Sequence, residues 1–231
     1  MKVELIDRMG NDLTVVNAAR VSFDKESEWE VRTTSEGVGC GVRLSEKDVK
    51  LINYLAKHNH FTPFTHPQIT LRETVPIFVA RQRFKHVVGF TYNEVSRRYV
   101  DDEPELYVPD VWRSRPEGSV KQGSSAEPVS HITVDGHEAP TQDWYTELME
   151  HAQEVYKGMI ESGVAPEQAR MVLPQSMYTS YYVTGSLAAF ARFYKQRIDD
   201  HAQKEIQELA KQVGDIIQPL YPVSWKALTE G

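Results

Sequence analysis

A chain of 231 residues, 40% hydrophobic and 26% charged, is long enough to bury a full core without disulfide staples. Its one cysteine, Cys40, excludes an intramolecular disulfide framework and any zinc site built on several thiolates. With 26 Lys and Arg against 33 Asp and Glu, the net charge of −7 disfavours nucleic acid in bulk, and no apolar run reaches the roughly 20 residues that span a bilayer.

Residues 2–6 alternate like a strand, and Asn11 and Asp12 offer caps for a short helix reaching about Arg20. Acids in MKVELIDRMG stand where a signal peptide needs an apolar core, so a cytoplasmic protein is expected. Residues 25–43 are polar, contain GVGCG, and read as loop or hairpin. Ser45 and Asp48 form a helix start signal, followed by Val49, Ile52, Leu55 and Ala56 at helical spacing. Two prolines and three histidines make 58–68 a shaped loop. Ile69, Leu71 and Val75 alternate as a strand, and Pro76 opens a helix running into Arg81-Gln82-Arg83-Phe84.

Gly89 breaks the chain, after which Asn93 is expected to cap a helical turn carrying Glu94 and Arg98 on one face. Residues 113–126, rich in Ser, Gly, Pro and charge, are expected to form a mobile excursion. Trp144, Leu148, Ala152, Val155 and Met159 mark a helix that stops at Gly163. Pro166 opens another through Arg170, and 178–183 reads as a strand. From Leu187 to Ile216 one apolar stripe predicts a single long helix capped by Ser186. Helices dominate, the strands are separated, and no βαβαβ rhythm appears. The expectation is one domain of α+β class, with a mixed or antiparallel sheet flanked by helices and a long C-terminal helix.

Between Arg81 and Tyr99 five cations (Arg81, Arg83, Lys85, Arg97, Arg98) face only Glu94. A positive island in an acidic chain suggests a small anionic ligand, and arginine forks with a serine hydroxyl suit a phosphate monoester. The alternative is a surface laced with ordinary ion pairs. Arg197 borders the apolar stripe near Phe193. It is either paired with Asp199 or Asp200, or kept as a cation that stabilises charge developing on a substrate. His58, His60 and His66 have a spacing that invites zinc, but their loop holds no carboxylate, and no metal is expected. Cys40 has no nearby histidine and is a poor nucleophile.

FTPFTHPQ, PIFVARQRFKH, YNEVSRRY, ARMVLPQSMY and RIDDHAQKEIQ follow in the order and spacing of the flavin-dependent thymidylate synthases, which the chain resembles from about Ala18 to Gln207. The resemblance implies methylation of dUMP to dTMP, with 5,10-methylenetetrahydrofolate as carbon donor and tetrahydrofolate released. It implies FAD reduced by NADPH, a homotetramer with sites shared between subunits, no cysteine nucleophile, and no nucleic-acid or membrane partner. Carried over by position, dUMP meets Gln82, Arg83, Phe84 and Lys85 from one chain, and Glu94, Val95, Ser96, Arg97 and Arg98 from another, with Arg170 and Arg197. Arg197 takes the catalytic place of the arginine that draws charge onto the uracil ring. FAD is expected at Ser22, His60, Thr62, Lys85, His86, Val87, Glu94, Ser186 and Arg192.

The chain departs from the family signature at Lys85 and Val87, where the family has arginines, and by one extra residue between His86 and Tyr92. Arg83 is the candidate to restore the missing cation. A non-catalytic nucleotide-binding protein of the same fold is the alternative.

Overall fold

The computed structural model describes residues 1–31, 41–99, 102–116, 123–125 and 127–230. Cys40, most of the 37–41 run and much of the 113–126 stretch lie outside the described residues. In chain order the elements are β1 (Lys2–Met9), α1 (Asp12–Arg20), β2 (Glu30–Val31), β3 (Val42–Arg43), α2 (Glu46–Lys57), β4 (Gln68–Pro76), α3 (Ile77–Arg83) and β5 (Phe90–Glu94). They continue as β6 (His131–Val134), β7 (His137–Pro140), α4 (Thr141–Glu161), α5 (Pro166–Ala169), β8 (Tyr178–Ser186), α6 (Leu187–Arg197), α7 (Lys204–Ile217) and α8 (Pro222–Glu230).

The main sheet is antiparallel, ordered β1-β4-β8-β5. Period-2 alternation sets its faces. Ile69, Leu71, Glu73 and Val75 of β4 are buried with Tyr181 and Val183 of β8, while Arg72 points to the other side. The buried face meets Ile52 and Leu55 of α2, Phe190 and Phe193 of α6, and Ile206, Leu209, Val213 and Ile217 of α7 in one core. This is the expected α+β class.

Local capping works as the sequence reads. Asn11 and Thr14 make a reciprocal capping box on α1, and Ser45 caps α2 through Asp48 N. The Asp48 carboxylate, 3% exposed, receives Arg20 Nη2 at 2.6 Å, Ser27 Oγ at 2.9 Å and Ser45 Oγ at 2.8 Å. Burial alone raises its pKa, but the bonds from Arg20, Ser45 and Ser27 overcome burial and hold it below the usual carboxylate range. A carboxylate with a lowered folded pKa stabilises above its unfolded value, near 4, and loses that stabilisation as pH falls. Asp48→Asn will therefore cost about 2–3 kcal/mol at neutral pH and flatten the fall of the urea midpoint on acidification below about pH 5.

Two expectations are corrected. The stripe from Leu187 to Ile216 belongs to two helices, α6 and α7, because Asp199 Oδ1 accepts from His201 N at 2.8 Å and bonds its ring, pulling the chain out of helix. Gln203 then caps α7 in extended conformation, and the longest helix is α4, of 21 residues. Asn93 and Glu94 end strand β5, pairing with Tyr182 and Tyr181, instead of opening a helix. Pairing with β8 outweighs the capping preference of one asparagine. The sequence reading also passed over β6 and β7, joined by Asp135 and Gly136 with φ of 49° and 81°. Two successive positive φ values are what a two-residue type I′ turn requires.

Candidate active site

A cavity of about 860 Å3 opens where β5 runs into residues 95–98. Glu94, Val95, Ser96, Arg97, Arg98 and Arg170 line it together, so six of the expected nucleotide contacts converge. Thr179 Oγ1 donates to Glu94 Oε1 at 2.7 Å and fixes that carboxylate at the sheet edge. Ser96 Oγ accepts from Arg98 Nε at 3.2 Å and aims the fork, which also lies 5.1 Å from the Tyr99 ring centroid. Arg170 is exposed, and its Nε donates to Glu167 O at 3.2 Å. Arg97 is different. Its guanidinium is taken by Asp102, which pairs at 3.1 Å and also accepts through its carbonyl, so Arg97 anchors the following loop.

Arg72 also lines this cavity, and the sequence reading did not single it out. Its Nε donates to Ser180 Oγ at 3.0 Å on the neighbouring strand. Only the β4–β8 register, Thr74 opposite Ser180, puts them together.

Arg83, expected at the nucleotide, presents no surface to a ligand. It is fully buried, its Nε lies 3.0 Å and 3.2 Å from the two Glu73 oxygens, and its Nη1 donates to Tyr92 OH at 2.7 Å. Phe193 and Phe90 bracket the guanidinium at 4.1 Å and 4.4 Å. Tyr181 OH donates to Glu73 Oε2 at 2.6 Å, and Tyr92 OH donates to the His86 carbonyl at 2.7 Å. A charge with all three nitrogens bonded, a Glu73 counter-ion and no surface is not available to replace the missing signature arginines. It is a structural cation that holds the turn after α3.

Gln82, Phe84, Lys85 and Arg197 do not line the large cavity; they lie with His86 around the end of α3 and α6. Arg197 Nε donates to His86 Nε2 at 2.9 Å, so the ion pair with Asp199 or Asp200 is not made. Asp199 bonds His201 instead. Because a guanidinium only donates, Nε2 is unprotonated and the imidazole proton sits on Nδ1. Burial, then the charges of Arg197, Arg83 and Arg192, lower the His86 pKa to about 4. His86 is thus neutral, its ring edge-on to Phe193 at 5.0 Å. An NMR titration will show the His86 ring resonances unmoved from pH 8 to about pH 5.

The expected flavin contacts are spread over several segments: Ser186 and Arg192 on the cap and body of α6, Lys85, His86 and Val87 in the turn after α3, and Glu94 in the large cavity. The turn at Thr62–Thr65 packs against α1 and α6, and Ser22 lies in the short turn that follows α1. His60 lies 6.0 Å from the Tyr54 ring and His58 4.3 Å from it. Among the described residues, no group of three or more His, Cys, Asp or Glu is placed to hold a metal ion. Ser186 Oγ accepts from Ala189 N at 3.2 Å, so its hydroxyl is already engaged as the cap of α6. Gly89 sits at φ +79°, and a Cβ there would meet Ala189 Cβ at 2.9 Å, so only glycine lets the 85–89 turn settle on this helix. Arg192 donates to Val88 O, tying the turn from outside. Lys85 is exposed, and Val87 and Val88 expose 65% and 69% of their surface.

Comparison with known proteins gives this arrangement its family. The sequence model of Thy1, described as thymidylate synthase complementing protein, matches residues 4–223. The chain belongs to the Thy1 family. A Thy1 relative named flavin-dependent thymidylate synthase, from Thermosipho africanus, is 37% identical across 97% of this chain and 89% of its own length. Another of that name, from Thermus thermophilus, is 33% identical across 99% of this chain and 75% of its own. A crystal structure of the UMP/dUMP methylase PolB from Streptomyces cacaoi, bound with 5-Br UMP, superposes with a TM-score of 0.78 at 30% identity. It covers 99% of this chain and 93% of that one. This Thy1 chain is thus an enzyme of the flavin-dependent thymidylate synthase family.

Proposed function

We propose that this Thy1 enzyme methylates the uracil ring of dUMP to give dTMP, with 5,10-methylenetetrahydrofolate as carbon donor, FAD as cofactor and NADPH as reductant. The observation that carries the reading is the convergence of Glu94, Ser96, Arg98 and Arg170 in one cavity of a Thy1 fold. Arg98 and Arg170 are cations for a phosphate monoester, with Ser96 holding the Arg98 fork. Arg197, held by His86, stabilises negative charge developing on the ring. The nucleotide contacts fall into two groups, the cavity set and the Gln82, Lys85 and Arg197 set. That division supports sites shared between subunits of a homotetramer, which we place in the cytoplasm. Among the described residues no helix is long and apolar enough to cross a membrane.

The residues present fit a flavin. Exposed methyls of Val87 and Val88 beside the cations Lys85 and Arg192 suit a flat apolar ring with an anionic tail. Ser22, His60 and Thr62 add polar contacts from the neighbouring segments. Bound and reduced, the flavin supplies hydride. The chain's part is to orient the nucleotide, to keep Arg197 charged, and to keep His86 neutral beside it.

The test is a visible spectrum of the purified protein saturated with FAD, followed by a methylation assay. A flavin band bleached by NADPH and restored by air, then dTMP formed only with methylenetetrahydrofolate, is the expected result. Since the Streptomyces neighbour is a UMP/dUMP methylase, UMP is the competing acceptor to assay. Lys85 and Val87 favour one second reading, a nucleotide-binding protein that has lost flavin. Binding of dUMP with no flavin at saturation would establish it and end the synthase reading.

A further inference from the structure

Gln82, in the last turn of α3, is tied to a chain of side chains outside the site. Its Nε2 donates to Gln203 Oε1 at 2.6 Å. Gln203 Nε2 donates to Glu205 Oε2 at 2.8 Å, and Arg113 Nη2 donates to Glu205 Oε1 at 2.7 Å. Arg113 is itself fixed by Ser124 Oγ, 2.8 Å from its Nε. Glu205 is buried, Arg113 a quarter exposed, and Gln203 partly buried.

The polarity of this chain follows from donor chemistry. An ionised carboxylate only accepts, so Gln203 must turn its NH2 toward Glu205 and its oxygen toward Gln82. Gln82 must then turn its own NH2 inward. Its Oε1, which makes no hydrogen bond among the described residues, is the end left for a ligand. Burial opposes the Glu205 charge, but bonds from Arg113 and Gln203 outweigh burial and lower its pKa, so the carboxylate form persists.

We propose that Glu205, charged by Arg113, acts through Gln203 as a positioning residue that fixes Gln82 as a hydrogen-bond acceptor. Gln82 then selects a nucleotide with a donor at that point, a sugar hydroxyl or the ring N3–H. The inference rests on the reading that Gln82 meets dUMP. It assigns a role to two residues of the RIDDHAQKEIQ run, Gln203 and Glu205, and it gives the segment bearing Arg113 a link to Gln82, 31 positions earlier in the chain.

The experiment measures binding of dUMP, 2′,3′-dideoxyuridine monophosphate and N3-methyl-dUMP to the FAD-loaded enzyme. One of the two analogues will bind about tenfold more weakly than dUMP, and which one identifies the donor. In Glu205→Gln the new amide can donate to Gln203, so Gln203 and Gln82 can both reverse. That variant will bind dUMP about tenfold more weakly and will no longer distinguish the sensitive analogue. Gln203→Met, which cuts the chain but leaves Glu205 its ion pair with Arg113, will reduce the same discrimination if Glu205→Gln fails to fold. Wild-type enzyme that binds no dUMP overturns the functional reading and this inference together. Wild type that binds dUMP, with variants that keep its analogue ratio, overturns the inference alone.

Discussion

Glu73→Ala will destabilise the protein by about 3–5 kcal/mol, because it leaves the Arg83 guanidinium charged, buried and without a counter-ion. The aromatic rings around Arg83 lessen this, since each cation–π contact contributes about 0.5–2 kcal/mol. They cannot replace three N–H to carboxylate contacts at 3.0–3.2 Å. Tyr181 OH also loses its acceptor. Urea unfolding of the variant against wild type measures the loss. The paired change Glu73→Leu with Arg83→Met removes both charges and will recover most of it, because two apolar side chains of similar volume carry no desolvation cost. If the single variant costs under 1 kcal/mol, Arg83 reaches water and the assignment as a structural cation fails.

Arg197→Ala will lower kcat by about 100- to 1000-fold, the usual effect of removing a donor aimed at developing charge, while flavin stays bound. Bound flavin is the control for folding, and a KM for dUMP that rises much less than kcat falls marks an interaction made in the transition state. Arg197→Lys will rescue little. The arginine uses Nε on His86 and keeps both Nη groups for a ligand, and an ammonium on a flexible stem cannot divide its donors in one plane. A lysine variant with near wild-type kcat would show that charge alone suffices and that His86 orients nothing.

Where one segment contains its own reason, the sequence was legible. Asn11, Ser45 and Ser186 cap helices because each side-chain oxygen and the backbone N–H that donates to it lie three residues apart. The strands at β4 and β8 announce themselves by alternation, and the antiparallel sheet follows from separated strands without crossover rhythm. The basic island was legible as charge, and its motifs as a family resemblance.

What could not be read is what depends on partners far along the chain. Glu73 and Arg83 are ten positions apart, yet only the burial of both, under rings from β5 and α6, turns one of five island cations into core. The same limit hid the β5 pairing, which Tyr181 and Tyr182 supply from nearly 90 residues away. It hid Arg72 beside Ser180, and the run from Gln82 to Arg113 through Gln203 and Glu205.

By itself, then, the sequence determined the fold class, most of the elements, the family and the residue types of the site. Those rest on periodicity, capping and motif order, all local in the chain. Only the tertiary structure decided which cations remain available to a ligand, which histidine stays neutral, and which way Gln82 faces. Those depend on burial and on the donor or acceptor that folding places opposite each group, and neither is written in any one segment.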